Sequence, residues 1–176
     1  VGMQVVEVNL ARTIPTDLSV LVVAAPSQPL SADAVARIES FMAGGGRMVI
    51  LLDGEPTGLE AWLKLRGIEK GPGRIVDPIT YFRQPDVPLI SVGSVGRGEP
   101  ILGPLAGRMV LAPRACPLIL NRSDAASGRP LPLLRTGPSS WSESEPTNTT
   151  LTLDPGKDRS GPLIVASRVV VPPPPG

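Results

Sequence analysis

The side chains able to do chemistry are few and scattered. Asp53 and Glu55 stand in Asp53-Gly54-Glu55, directly after the apolar run of residues 48–52. Carboxylates at the carboxyl end of a strand in an open α/β sheet lie where such sheets bind ligands, and there they can hold a cation or a substrate hydroxyl. No partner ligands accompany them, so a strand-terminating Asp-Gly turn is the favoured reading and ligand binding the sharper alternative. Asp77 and Asp86 repeat the argument more weakly. Trp141 lies in Ser139-Ser140-Trp141-Ser142, where there is no Gly-x-Ser-x-Gly elbow, and a Ser–Lys pair would have only Lys64, Lys70 and Lys157 to draw on. It reads as packing or as marking a contact surface. Cys116 is followed by Pro117 in a chain without histidine, so it lacks the base that activates a catalytic thiol. Asp154-Pro155-Gly156-Lys157-Asp158 falls short of a calcium loop's ligand count, and the sequons at Asn121 and Asn148 are patterns common by chance. The expectation is no catalytic set, no metal site and no cofactor, with Asp53, Glu55, Asp77 and Trp141 as weak ligand-binding candidates.

The elements that must position these residues begin with a clear unit at residues 18–53. Residues 18–25 are almost continuously apolar and bounded by turn signals, which suits a strand buried on both faces, as in parallel sheets. Ser31 is a good N-cap, and Asp33 places negative charge where the helix dipole favours it. From 32 to 43, Val35, Ile38 and Met42 recur at i, i+3 and i+7, giving an amphipathic helix. Gly44-Gly45-Gly46-Arg47 resembles a phosphate loop in composition, but phosphate loops run from a strand into a helix. Here the glycines leave a helix and enter the strand 47–52, so they read as a helix stop. The unit is a right-handed β–α–β crossover.

Around it, residues 3–10 are β-rich and read as a first strand, 57–66 as a second helix ended by Gly67, and 74–77 as a short strand. Later the prolines crowd in, with 18 of 22 after residue 60, and helical periodicity disappears. Candidate strands there are 89–92, 108–112, 131–135 and 163–171. The organisation expected is one α/β domain over 1–171, with a βαβ core at 1–80 and a strand- and loop-rich part at 81–171. The final Pro-Pro-Pro-Pro-Gly, 172–176, reads as a stiff linker.

The totals exclude some classes. A net charge of +1, from 17 basic and 16 acidic residues, gives no electrostatic reason to expect nucleic acid or an anionic membrane surface as a partner. Aromatics at 3% are too few for a base-stacking platform. No apolar run reaches the roughly 18 residues of a membrane span. The chain starts at Val1 and ends in the proline run, so both ends read as cuts in a longer protein.

One set of motifs runs along nearly the whole chain. Ile14-Pro15-x-Asp17 leads to Leu21-Val22-Val23-Ala24-x-Pro26, then Pro29-Leu30-Ser31, Phe41-x-x-Gly44-Gly45-Gly46-Arg47 and Leu51-Leu52-Asp53. Gly58-Leu59, Gly67-Ile68 and Ile75-Val76-Asp77 follow. Leu134-Arg135-Thr136-x-x-x-Ser140-Trp141-x-Glu143 and Asp158-x-x-Gly161-Pro162-Leu163-x-Val165-Ala166 complete the series. In order and spacing this resembles the ABC-transporter auxiliary domain of gliding-motility GldG-like proteins. The resemblance implies a parallel-sheet, three-layer α/β domain, flavodoxin-like or class I amidotransferase-like, without the amidotransferase nucleophile. It implies a non-enzymatic, extracytoplasmic (periplasmic) domain of a membrane-anchored parent protein, held to the membrane only through segments outside this chain and working beside an ABC-2 permease and a separate ATPase subunit. A looser likeness to intraflagellar-transport and sugar-binding relatives of that fold favours a binding role. The rival expectation is a carbohydrate- or nucleotide-binding hydrolase-like enzyme using Asp53 and Glu55; a homo-oligomerisation module is a third.

Overall fold

The computed structural model describes residues 2–93, 100–121, 128–145 and 151–171. In chain order the strands and helices begin with β1 (Val20–Ala24), α1 (Ala32–Ala43), β2 (Arg47–Leu51), α2 (Glu60–Leu65), β3 (Ile68–Lys70) and β4 (Arg74–Val76). They continue with β5 (Tyr81–Phe82), β6 (Gln84–Ser91), β7 (Met109–Leu111), β8 (Leu118–Leu120) and β9 (Arg129–Arg135). β10 (Trp141–Glu143), β11 (Arg159–Ser160) and β12 (Ile164–Val170) follow. The linker expected at 172–176, the second sequon and most of the first lie outside the described residues.

The β1–α1–β2 unit forms for the reasons its sequence displays. Ser31 Oγ accepts the amide of Ala34 at 3.2 Å, capping α1. At the other end the amide of Gly46 donates to Phe41 O and that of Gly45 to Met42 O, both at 3.0 Å. This is a Schellman stop, and it needs Gly45 at φ +88°, a conformation that costs glycine little. β1 and β2 pair in parallel with Leu21 opposite Met48 and Val23 opposite Ile50. These four side chains face Ile38, Val35 and Met42 of α1, and Ile38 is wholly buried.

The rest departs from the expected architecture. The fold is not a parallel-sheet, three-layer α/β domain of the flavodoxin or amidotransferase type: β1–β2 is a two-stranded parallel pair, and the other sheets are antiparallel. Their orders are β11-β10-β4, β3-β8-β12-β9 and β5-β6-β7. The physical reason lies in the connections. A parallel neighbour needs a long crossover, usually helical, and among the described residues only α1 supplies one between paired strands. The later strands are short and joined by turns, which pair antiparallel.

Two local expectations change with it. Residues 18–25 are not buried on both faces: Val22 is 57% exposed and Leu51 54%, with Val20 and Val49 beside them, because α1 covers one side alone. Residues 3–10 form no strand; Met3 and Val5 are solvated, and only Val8 and Leu10 reach the core. The second helix is shorter than 57–66 because its first turn is given over to a cap, described below.

A second apolar cluster, Ile90, Val92, Leu102 and Leu134, underlies the C-terminal half. β9, at the outer position of the four-stranded sheet, carries Pro130 and Pro132. Prolines lack the N–H that a ladder uses, and edge strands are where sheets tolerate them.

Replacing the buried Ile38 by Ala is expected to lower unfolding free energy by about 2–5 kcal/mol. Val22→Ser, on the open face of the same sheet, is expected to change it by less than about 1 kcal/mol. Urea denaturation of both variants checks this; equal losses would mean that the outer face is covered after all.

Candidate functional site

The carboxyl end of β2 runs into Asp53-Gly54-Glu55, and the turn is held from two sides. Asp53 Oδ1 accepts the amide of Glu55 at 3.0 Å. Lys70, at the end of β3, donates through Nζ to Gly54 O at 3.0 Å and Glu55 O at 2.6 Å. Asp53 and Glu55 therefore share one exposed turn, and Asp53 binds its own backbone, as an Asx-turn residue does.

Beside this turn lies a cleft of about 240 Å³ between the end of β2, α2 and β3. Leu52, Ala61, Leu63 and Ile68 give it an aliphatic lining; Glu60, Lys64, Glu69 and Lys70 supply charges of both signs. Sequence reasoning missed these charged residues. The signal was the spacing Thr57-x-x-Glu60, a capping-box pattern. Glu60 Oε1 accepts the Thr57 amide at 2.7 Å and the Thr57 hydroxyl at 3.0 Å, and Thr57 Oγ accepts the Leu59 amide at 3.1 Å. Burial pushes the Glu60 carboxyl up, but these bonds outweigh it and hold the group below its ordinary value.

The cleft wall α2 is pinned to α1 by a charged node. Arg66 stacks over the Trp62 ring at 3.6 Å from its centroid, and its Nη2 meets Glu39 Oε2 at 2.6 Å. The Trp62 indole donates to the same Glu39 oxygen, and Arg66 Nη1 donates to Trp62 O at 3.2 Å. Arg66 is nearly buried while Glu39 is half exposed, so the arginine's partner sits at the solvent boundary. Removing Glu39 would leave a buried cation without it.

Asp77 and Trp141 come together elsewhere, through the pairing of Val76 on β4 with Trp141 on β10. Asp77 is 1% exposed. Its Oδ1 accepts the amides of Ile79 at 3.0 Å and Thr80 at 2.9 Å and the Ser139 hydroxyl at 3.0 Å, while its buried Oδ2 has no partner among the described residues. Its amide donates to Pro85 O at 2.8 Å. Trp141 is buried, and its indole donates to Glu143 Oε2 at 3.2 Å. Asp86 pairs with Arg74 at 3.3 Å. Cys116 is buried in the interior, where desolvation pushes its thiol up. The Asp154–Asp158 turn folds on itself: Asp158 accepts the Asp154 amide at 2.9 Å and the Ser144 amide and hydroxyl at 3.0 and 2.8 Å. Among the described residues no three His, Cys, Asp or Glu side chains group as metal ligands, and no helix is long and apolar enough to cross a membrane.

Fold and site together define a mostly antiparallel β domain seeded by one β–α–β unit, with an open mixed-charge cleft at the unit's carboxyl end. A solved structure, the mmIFT52 N-terminal domain, is similar in fold, with a TM-score of 0.55 and 19% identity over 70% of this chain. The match spans about half (54%) of that chain's length. No curated protein matches. The chain belongs to the ABC transporter auxiliary family, described as an ABC-type uncharacterized transport system, which it matches over residues 2–170.

Two outcomes test the local geometry. Because the folded Glu60 carboxyl is held low, its contribution is present above its unfolded value of 4.5 and is lost as pH falls below that value toward the folded one. The difference in urea midpoint between the natural chain and Glu60→Gln is therefore expected to shrink below pH 4.5; a pH-independent difference would contradict it. Asp77→Ala leaves three donors unpaired and is expected to cost about 2–4 kcal/mol in denaturation, with Asp77→Asn, which keeps one acceptor oxygen, costing less.

Proposed function

We propose that this is a non-enzymatic, extracytoplasmic accessory domain that binds a partner protein or transported ligand at the carboxyl end of its β–α–β unit. The partners are the ABC-2 permease and the separate ATPase subunit of the same transport system. The observation that carries the binding role is the cleft of about 240 Å³. Its aliphatic lining suits an apolar side chain or short aliphatic group, and Glu60, Lys64, Glu69 and Lys70 can orient polar atoms at its rim. The family's role in a transport system supports the choice of partners. The exposed Asp53–Glu55 turn beside the cleft extends the surface available to them.

Co-purification of the intact protein with permease and ATPase is the direct test. Ala61→Arg, which blocks the cleft from the α2 side, is expected to lower permease recovery about tenfold, equivalent to 1.4 kcal/mol of interface energy. Asp53→Asn is expected to leave recovery within about twofold, since the turn's Lys70 contacts run through carbonyls. Recovery unaffected by Ala61→Arg in a folded protein would remove the cleft from the reading. Recovery of the natural protein free of both subunits would remove the partners.

A further inference from the structure

The chain has five aromatic residues: two Trp, two Phe and one Tyr. Trp62 and Trp141 are buried, and Phe41 is half-buried against the core. The two that face solvent, Tyr81 at 40% and Phe82 at 46% exposure, are adjacent and together make up β5. Ile79, two residues before, is 76% exposed. The hairpin between β5 and β6 turns at Arg83, whose φ of 64° is a left-handed conformation that a side chain larger than glycine adopts at a cost. Its guanidinium lies 5.2 Å from the Phe82 ring centroid, so cation and aromatic are presented together.

Along the chain, the charges at the tip have one sign. Between residues 78 and 85, Arg83 is the single charged residue. The nearest carboxylates are withdrawn: Asp77 is buried beneath the turn, and Asp86 is paired with Arg74. Arg114, exposed and also in a left-handed conformation at φ 56°, is tied to the hairpin's flank by its amide bond to Asp86 O at 3.1 Å. An aromatic pair, an exposed isoleucine and two cations, with both carboxylates that flank the hairpin in sequence engaged or buried, match the chemistry of a bilayer's interfacial layer. There, tyrosine and phenylalanine rings enter the headgroup boundary and arginines meet lipid phosphates.

We propose that the β5–β6 hairpin is a lipid-contacting tip that seats this domain on an anionic bilayer surface. Ile79, Tyr81 and Phe82 enter the interface, while Arg83 and Arg114 bind headgroup phosphates. The near-neutral charge of the whole chain does not oppose this, because surface charges act over about a Debye length, roughly 10 Å. The proposal draws on the membrane-side setting of the accessory role, but vesicles contain neither permease nor ATPase. Failure of the one is therefore a separate result from failure of the other.

The test is co-sedimentation of the 176-residue chain with vesicles of phosphatidylcholine alone and of phosphatidylcholine with phosphatidylglycerol. Binding is expected to the mixed vesicles and to weaken as salt rises. The double variant Tyr81→Ser/Phe82→Ser is expected to lower partitioning at least about tenfold. Arg83→Gln is expected to lower it about fivefold on phosphatidylglycerol vesicles and not on neutral ones. Circular dichroism spectra and thermal melting profiles matched to the natural chain confirm that both variants fold. The pair Val22→Ser/Val49→Ser, on the open sheet face, is expected to bind as the natural chain does. Absence of binding to mixed vesicles overturns the proposal, as does a loss seen with the sheet-face variant and not with the hairpin variant. Loss of permease co-purification by Tyr81→Ser/Phe82→Ser, with no vesicle binding by the natural chain, overturns it in favour of a protein contact.

Discussion

One carboxylate ties the turn after β4 to the loop that enters β10. Asp77 ends β4, and its single accepting oxygen gathers the amides of Ile79 and Thr80 and the hydroxyl of Ser139. The first two set the turn into the β5–β6 hairpin, and the third draws in the loop that leads to Trp141. Its amide bond to Pro85 fastens the return strand of the same hairpin. The carboxylate itself is buried, so its removal takes from all three donors the acceptor the fold provides. The turn that presents the hairpin to solvent and the loop that leads into β10 both rest on that one group.

The cleft depends on a different device. α2 is only six residues long and is too short to be stable by itself. Its N-terminal end is fixed by the Thr57–Glu60 cap and by the close approach of Gly58 to the Leu30 backbone, where φ +80° leaves no room for a side chain. Its other end is fixed by Arg66 against Trp62 and Glu39. The helix thus works as a wall clamped at both ends, with Leu59, Trp62 and Leu63 seated in the main apolar cluster.

The sequence displayed the β1–α1–β2 unit clearly because three independent signals agreed there: the Val35–Ile38–Met42 stripe, the Ser31 cap and the glycine stop. The helix expected at 32–43 is the helix found. What the pattern could not display was which faces of β1 and β2 are covered, since Leu21 and Val22 are equally apolar and differ only in what packs on them. The later strands were harder still. β3, β8 and β10 have three residues each, too few to establish a period, and their partners lie far away in sequence, as Trp141 does from Val76. The family's motifs carried the family assignment where periodicity carried nothing, yet the architecture attached to that resemblance overstated the parallel sheet. Asp53 does stand at the carboxyl end of β2, where the strand's end placed it; the charged residues around the cleft were hidden because they come from a short helix and a three-residue strand.

The outer strand of the four-stranded sheet has a last consequence. Two of the seven residues of β9, Pro130 and Pro132, have no N–H to offer. A strand from another molecule arriving along that side would find an interrupted row of donors, and the hydrogen-bonded spine of a cross-β fibril could not propagate through it without gaps. Crowding many copies together would therefore not convert this long edge into a seed for fibre growth, even though leucines at 131 and 133 lie on the same strand. The prolines that broke up helical periodicity in the second half act as a brake on polymerisation.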